Sequence, residues 1–388
     1  MNLFHRLYAR FSPRTASYGA GWSASGGVRV LFGSGMDGAP LRYRVLHQAE
    51  QLALTGGAWA LYRDTDRRLA RRVSQCDILY LYKAGNTSPV RQAVATARLR
   101  GTPVVYDTDD LNWDERLVAY CELDRYYSRR DVARFRRLFR ETETLMHGMD
   151  TFVASTGYLA TALASHFGKP AYVNANALSR QAVATAEPIY RQRIASPPGP
   201  TVVMGYFSGW PKAHEPDLAV ALPAIRRVLA DLPFTRLRIV GHFDLALLPA
   251  DLRPQVETAP FVPYERLFAE IARADINLAP IVDNPHRRAK SAVKFLEAAL
   301  VGVPTVASDL EPYRDIVHGR TGFLAADDAG WYAGIMALAA DPARRRAIGA
   351  AARDQVLARD TTTVRAPGFA ALVSRLIAAR RAAQGQSS

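Results

Sequence analysis

The sequence predicts an α/β fold of two doubly wound parallel-sheet domains. Three observations carry this. Short apolar, β-branched strands alternate with helical patterns in two successive series. A proline-rich stretch without period, "EPIYRQRIASPPGP" (187–200), separates the series. The 388 residues are enough for two ordinary domains.

Residues 1–27 form a basic N-terminal segment and linker. Its opening, "MNLFHRLYARF", brings Leu3, Phe4, Leu7, Tyr8 and Phe11 near one helical face, a pattern that fits a membrane surface or the protein's own core. "SPRTASYGAGWSASGG" follows as a Gly/Ser-rich loop. The first domain, 28–190, contains "VRVLF", "AWALY", "DILYLY", "PVVYD", "TFVAS" and "AYVNA" as strands. The second, 191–361, contains "TVVMGYFSG", "RLRIVG", "APFVP" (259–263), "INLAPI" and "VPTVAS". Between the last two lies a helix beginning at Ala289, with Phe295, Leu296, Ala299 and Leu300 on its apolar face. Lys290, Lys294 and Glu297 share the opposite face, and Gly302 ends the helix. The terminal segment, 362–388, carries an amphipathic, arginine-rich helix near Leu372–Ala383 that can pack back on the first domain.

Composition narrows the class. The chain is 49% hydrophobic and 22% charged, so it buries a sizeable core. Cys76 and Cys121 have no paired spacing, which argues against a disulfide framework or zinc site and for a reducing compartment. No apolar run approaches the ~20 residues of a membrane span, and the N-terminus lacks a signal-peptide core, so the expected location is cytoplasmic. The net charge of +14 is spread along the chain. It suits anionic lipid or phosphorylated substrates, and no zinc-finger or RNA-binding signature points to nucleic acid.

Open parallel sheets bind ligands beyond the carboxyl ends of their strands. In the second domain "YFSGWPKAHEPD" supplies Ser208 and Gly209 for a tight turn, then Lys212 and His214 before a helix N-terminus suited to anions. No G-x-G-x-x-G occurs, which disfavours a dinucleotide cofactor. On the later helix Lys290, Ser291 and Lys294 would meet a diphosphate, and Glu297 would accept hydrogen bonds from a ribose diol. An ordinary solvated face with Lys–Glu pairing is the alternative. In the first domain "VVYDTDDLNWDE" places Asp107, Asp109 and Asp110 just after a strand. Carboxylates there could accept a proton, orient sugar hydroxyls, hold a metal, or simply cap the next helix.

These residues resemble a family. "SAVKFLEAALVGVPTVASDLEPYRDIVHGRTGFLA" is similar to the C-terminal signature of retaining GT-B glycosyltransferases of family 4, and "GYFSGWPKAHEPDL", "RLRIVG" and "VVYDTDDL" resemble neighbouring segments. The first-domain loop resembles that of a subgroup rich in aspartate. The resemblance implies a GT-B fold, with two Rossmann-like doubly wound parallel-sheet domains facing a cleft. The first would take the acceptor and the second the nucleotide-sugar. It implies that Glu297 binds the ribose, that Gly209 and Lys212 approach the phosphates, and that Asp109 stands where many members carry a sugar-touching histidine. Two departures stand out. Ala289 occupies the place of the first glutamate of the family's pair, which leaves the donor sugar open. The usual arginine after the second domain's first strand is absent, and Lys290 and Lys294 are candidates to replace its charge.

The function expected is transfer of a sugar from a nucleoside-diphosphate donor to a saccharide or lipid-linked acceptor, in bacterial surface polysaccharide or glycoconjugate assembly. Asp109, Asp110 and Lys294 are the expected catalytic residues. No metal or other cofactor and no nucleic acid are expected, and a lipid-linked acceptor would be met at the inner face of the cell membrane. Two rivals are a metal-dependent glycosyltransferase using Asp107 and Asp109, and a non-catalytic basic protein binding nucleic acid or membrane.

Overall fold

A computed structural model describes residues 18–385, apart from 20 and 210–214. The amphipathic segment anticipated at 1–11, and both Lys212 and His214, lie outside the described residues. The chain divides into two compact units. The first comprises Met1–Ser179, Ala289–Ser291 and Thr362–Ser388, and the second Arg180–Arg288 and Ala292–Thr361.

The sheet of the first unit contains β1 (Arg29–Ser34), β2 (Ala58–Arg63), β3 (Ile78–Tyr82), β4 (Val104–Thr108), β5 (Thr151–Ala154) and β6 (Ala171–Val173), in the order β2-β1-β3-β4-β5-β6. All neighbours are parallel. Helices cover both faces, so β3, "ILYLY", is buried at every position and reads as a continuous apolar run. One face packs Leu31, Leu79 and Tyr106 against helices that include Ser88–Arg100 and Arg129–His147. The other packs Val30, Phe32 and Tyr80 with Phe369, Leu372, Val373 and Leu376 of the terminal helix Thr362–Gly385.

The second unit has β7 (Val202–Ser208), β8 (Thr235–Gly241), β9 (Val256–Ala259), β10 (Ile276–Ala279), β11 (Thr305–Ser308) and β12 (Phe323–Ala325), in the order β12-β11-β10-β7-β8-β9. Counted within the unit this is 3-2-1-4-5-6, the dinucleotide-fold order, and its direction reverses between β7 and β10. Gly241 closes β8 with φ +102°, and a Cβ there would strike the Ser208 carbonyl oxygen.

Several expectations need correction. β9 ends at Ala259 instead of starting there, because Pro260 and Pro263 cannot donate to a ladder. The three-residue β12 was not anticipated. The stretch from 187 is not all linker, since the helix Arg180–Ala195 runs through Pro188. Packing holds it there: Arg353 pairs with Glu187 and lies over the Tyr190 ring at 4.2 Å. The helix expected from Ala289 begins at Val293, after a short turn of helix at Pro285–Arg288. Lys290 therefore does not share a helix with Lys294 and Glu297. Residues 289–291 are held otherwise: the Ala289 carbonyl accepts from Thr156 Oγ1, and Ser291 Oγ accepts from Asn176 Nδ2.

At the carboxyl end of β4, Asp107 is fully buried against fully buried Arg44. Arg44 donates through Nε (2.9 Å) and Nη2 (2.7 Å), and Gln48 and Tyr80 add donors at 2.9 and 2.6 Å. Removing one partner of such a pair strands the other charge, at a cost of about 3–5 kcal/mol. Arg44→Ala should therefore sharply lower the denaturant midpoint of the first unit, read by intrinsic fluorescence. An unchanged midpoint would mean that the pair contributes nothing.

Candidate functional site

In the second unit the candidate site lies at the carboxyl ends of β7 and β10, where the strand order reverses. β7 ends at buried Ser208, and exposed Gly209 follows. Beyond β10, the Ile281 N–H donates to Ser308 Oγ at 2.9 Å and the Val282 N–H to Asp217 Oδ1 at 3.1 Å. Asp217 also accepts from Arg287 Nε at 2.8 Å, with both side chains almost wholly buried. Asn277 Nδ2 donates to Thr305 Oγ1 (3.0 Å) and to the Lys294 carbonyl (3.3 Å), which fixes the start of helix Val293–Leu300.

Lys294 and Glu297 project from that helix. The stem of Lys294 is partly exposed, but its Nζ is buried and has no hydrogen-bond partner among the described residues. It stands 4.2 Å from the centroid of the Tyr206 ring, a cation–π contact. Burial lowers the Lys294 pKa to about 8; Asp217 and Glu297 act to raise it and Arg287 to lower it. Glu297 is buried. The site thus holds an ammonium whose hydrogen-bonding capacity is unused, which an anionic ligand can satisfy.

In the first unit Asp109 and Asp110 follow β4. Lys83 Nζ lies 2.6 Å from Asp109 and 3.4 Å from Asp110, and Tyr82 donates its hydroxyl to Asp109 at 3.0 Å. Lys290, grouped with this unit, reaches Asp110 at 3.0 Å. Burial works to raise the Asp109 carboxyl, but Lys83 and Lys290 outweigh it and hold it below its ordinary range. Lys83 has φ +40°, a left-handed conformation costly for a side-chain-bearing residue. Asp107 takes no part here, since its carboxylate is taken up by Arg44, Gln48 and Tyr80. It is closed to a metal as well, so the Asp107/Asp109 metal pair finds no geometric support. Ala289 is fully buried, and a glutamate there would place a carboxylate among apolar side chains.

Sequence reasoning missed Lys83, Tyr206, Asp217 and Arg287. The strand-end rule applied to β3 would have found Lys83. Arg287 was hidden in the run "HRR", and nothing local set Asp217 apart.

Residues 202–341 match the family model "Glycosyl transferases group 1". Residues 202–341 form a glycosyltransferase domain. No curated protein matches the chain in sequence. Among solved structures, HepE from Anabaena in complex with UDP is 14% identical, with TM-score 0.59, over 90% of this chain and 100% of that one. A glycosyltransferase from Rickettsia africae ESF-5 is 10% identical, with TM-score 0.62, over 90% and 98%. WaaG, a glycosyltransferase involved in lipopolysaccharide biosynthesis, is 16% identical, with TM-score 0.57, over 89% and 99%. The likeness is one of fold, and that fold is GT-B with two Rossmann-like units. The glycosyltransferase domain contains the whole of the Tyr206, Asp217, Arg287, Lys294 and Glu297 cluster. No helix among the described residues is long and apolar enough to cross a membrane.

The lowered pKa of Lys294 fixes a sign. Its folded value, about 8, lies below the unfolded value of 10.5. Below about pH 8 the folded state carries the full penalty of a buried charge, and the penalty fades as pH rises towards 10.5. In the unliganded protein Lys294→Met should raise Tm at pH 7, and the gain should shrink across that window. A gain that is absent, or constant with pH, would contradict the buried-ammonium description.

Proposed function

We propose that the protein moves a sugar from a nucleoside-diphosphate donor to a saccharide or lipid-linked acceptor, with retention, during assembly of a bacterial surface polysaccharide or glycoconjugate. One observation carries this: the Lys294 ammonium, buried without a hydrogen-bond partner among the described residues at the strand-order reversal of a glycosyltransferase domain. A donor diphosphate supplies the missing acceptor oxygens. Glu297, one turn further on, accepts from the nucleotide ribose, and Ser208 and Gly209 let the backbone approach the phosphates. HepE, whose structure holds UDP, and WaaG, which acts in lipopolysaccharide biosynthesis, support a donor and a setting of this kind.

The chemistry then rests on charge. As the glycosidic bond to the diphosphate breaks, negative charge grows on the departing phosphate, and Lys294 stabilises it. The leaving phosphate takes the acceptor proton on the same face, so the reading requires no protein nucleophile and no metal. Asp109, held by Lys83 and Tyr82, is the first-unit group assigned to the transferred sugar's hydroxyls, with Asp110 beside it. The basic surface, with net charge +14, suits an acceptor on an anionic membrane face. Binding to anionic vesicles should accordingly exceed binding to neutral ones and weaken with salt. Equal binding to both would remove the membrane from this reading.

The direct test is a calorimetric and thermal-shift screen with UDP, GDP, dTDP and ADP, followed by two variants. Lys294→Ala should lower kcat/KM about 10- to 150-fold, the equivalent of ~1.5–3 kcal/mol for a hydrogen bond to a charged partner, with kcat falling too. Glu297→Gln should chiefly weaken nucleotide binding. Diphosphate affinity should be greatest below about pH 8, where Lys294 is charged, and fall above it. Folded variants that bind the diphosphate as tightly as the parent would exclude this helix as the donor site.

A further inference from the structure

A cluster in the first unit, unrelated to the strand-end residues, combines Glu143 and His147, one turn apart on helix Arg129–His147, with His166 of helix Gly157–Phe167. One ligating atom from each side chain lies within 4.8 Å of the other two. Glu143 Oε1 and His166 Nε2 are already 2.7 Å apart. The imidazoles are braced by one buried ring. Phe167 lies 5.0 Å from the His147 ring and 4.6 Å from the His166 ring, each near edge-on, and Trp113 backs His166 at 6.2 Å. Two residues four apart on a helix share a face, so the pair from one helix and the single residue from its neighbour converge without backbone change.

We propose that Glu143, His147 and His166 form a binding site for a divalent transition metal, zinc being the best match. Two imidazole nitrogens and one carboxylate oxygen are a donor set that suits Zn²⁺, with water completing a tetrahedron. With Zn–N and Zn–O near 2.0–2.2 Å, the three donors must stand about 3.3–3.6 Å from one another, so the Glu143–His166 pair opens from 2.7 Å while longer separations close. Side-chain rotation of the half-exposed Glu143 and the exposed histidines can achieve that. The site's position defines its role. Helix Arg129–His147 ends just before β5, and helix Gly157–Phe167 ends just before β6, so the triad belongs to the amino edge of the sheet. Asp109 and Asp110 follow β4 at the carboxyl edge. The metal would clip two helix ends together and take no part in sugar transfer. Lys169, which donates to the His147 and Met149 carbonyls, places a positive charge nearby and moderates the affinity.

The test uses the full chain, stripped of metal and titrated at neutral pH with Zn²⁺ against a chromophoric chelator, and separately with Co²⁺. About one equivalent should bind, Co²⁺ should give visible ligand-field bands, and Zn²⁺ should raise Tm. His147→Ala, His166→Ala and Glu143→Gln should each weaken binding by more than about tenfold, and should abolish the Tm rise without changing transfer activity. His166→Gln serves as a second variant should the alanine form fail to fold. A parent that binds no zinc, a Co²⁺ complex without visible bands, or a folded His147→Ala/His166→Ala double variant with parental affinity would each overturn the assignment.

Discussion

The buried pair between Asp217 and Arg287 fixes how the chain leaves β10. A single carboxylate oxygen receives the Val282 N–H and the Arg287 Nε–H, so the segment after the strand and the short helix at Pro285–Arg288 are tied to one point. The pair has a second effect. Because Asp217 is bonded to Arg287, it raises the Lys294 pKa only through space and does not satisfy its ammonium. Had Asp217 bonded Lys294 directly, the ammonium's donors would be occupied and would have less left to offer an anion. The ion pair thus holds the loop and keeps one positive group without a hydrogen-bonded counter-charge.

The first unit repeats this arrangement with different residues. Asp107, the acid nearest the sheet, is taken up by Arg44, Gln48 and Tyr80, and closes the end of β4. Asp109 and Asp110, the next acids along, are instead held by lysines and by a tyrosine hydroxyl. Arginine's planar fork suits the permanent, bidentate bond, while a lysine ammonium can exchange one oxygen for another. In each unit an acid bonded to arginine builds the strand edge, and a lysine stands beside it.

The sheets were legible in the sequence because parallel strands are buried on both faces and appear as short apolar runs between helical periods. "ILYLY" and "INLA" could hardly be anything else in an α/β chain. Tertiary packing overrode local signals elsewhere. Pro188 sits inside a helix that Arg353 and Tyr190 anchor, and "AKSA" breaks a periodic pattern because side chains of the first unit hold its backbone and Ser291. Of the site, Lys294 and Glu297 were visible as charges on a helix between two core strands. Their partners were not, since Asp217 lies 77 residues before Lys294 and nothing local distinguishes it. The Glu143, His147 and His166 cluster was equally hidden, because its third member comes from another helix.

The charge of +14 takes on a different meaning once the arginines are located. Several donate to carbonyls that helix ends leave without partners. Arg193 bonds the Ala272 carbonyl at 2.7 Å, Arg345 that of Leu338 at 2.6 Å, Arg346 that of Ser196 at 2.5 Å and Arg98 that of Gly148 at 2.6 Å, while Arg353 bonds that of Leu300. Carbonyl ends of helices carry partial negative charge, so an arginine there satisfies orphan acceptors and the dipole together. Such a bond occupies N–H donors but leaves the formal charge in place. The protein therefore projects a positive field at distances up to a Debye length. A field of that kind attracts anions in general without selecting among them. Selection among anions needs a positioned donor, and the buried Lys294 ammonium, without a hydrogen-bond partner among the described residues, is the candidate in the second unit.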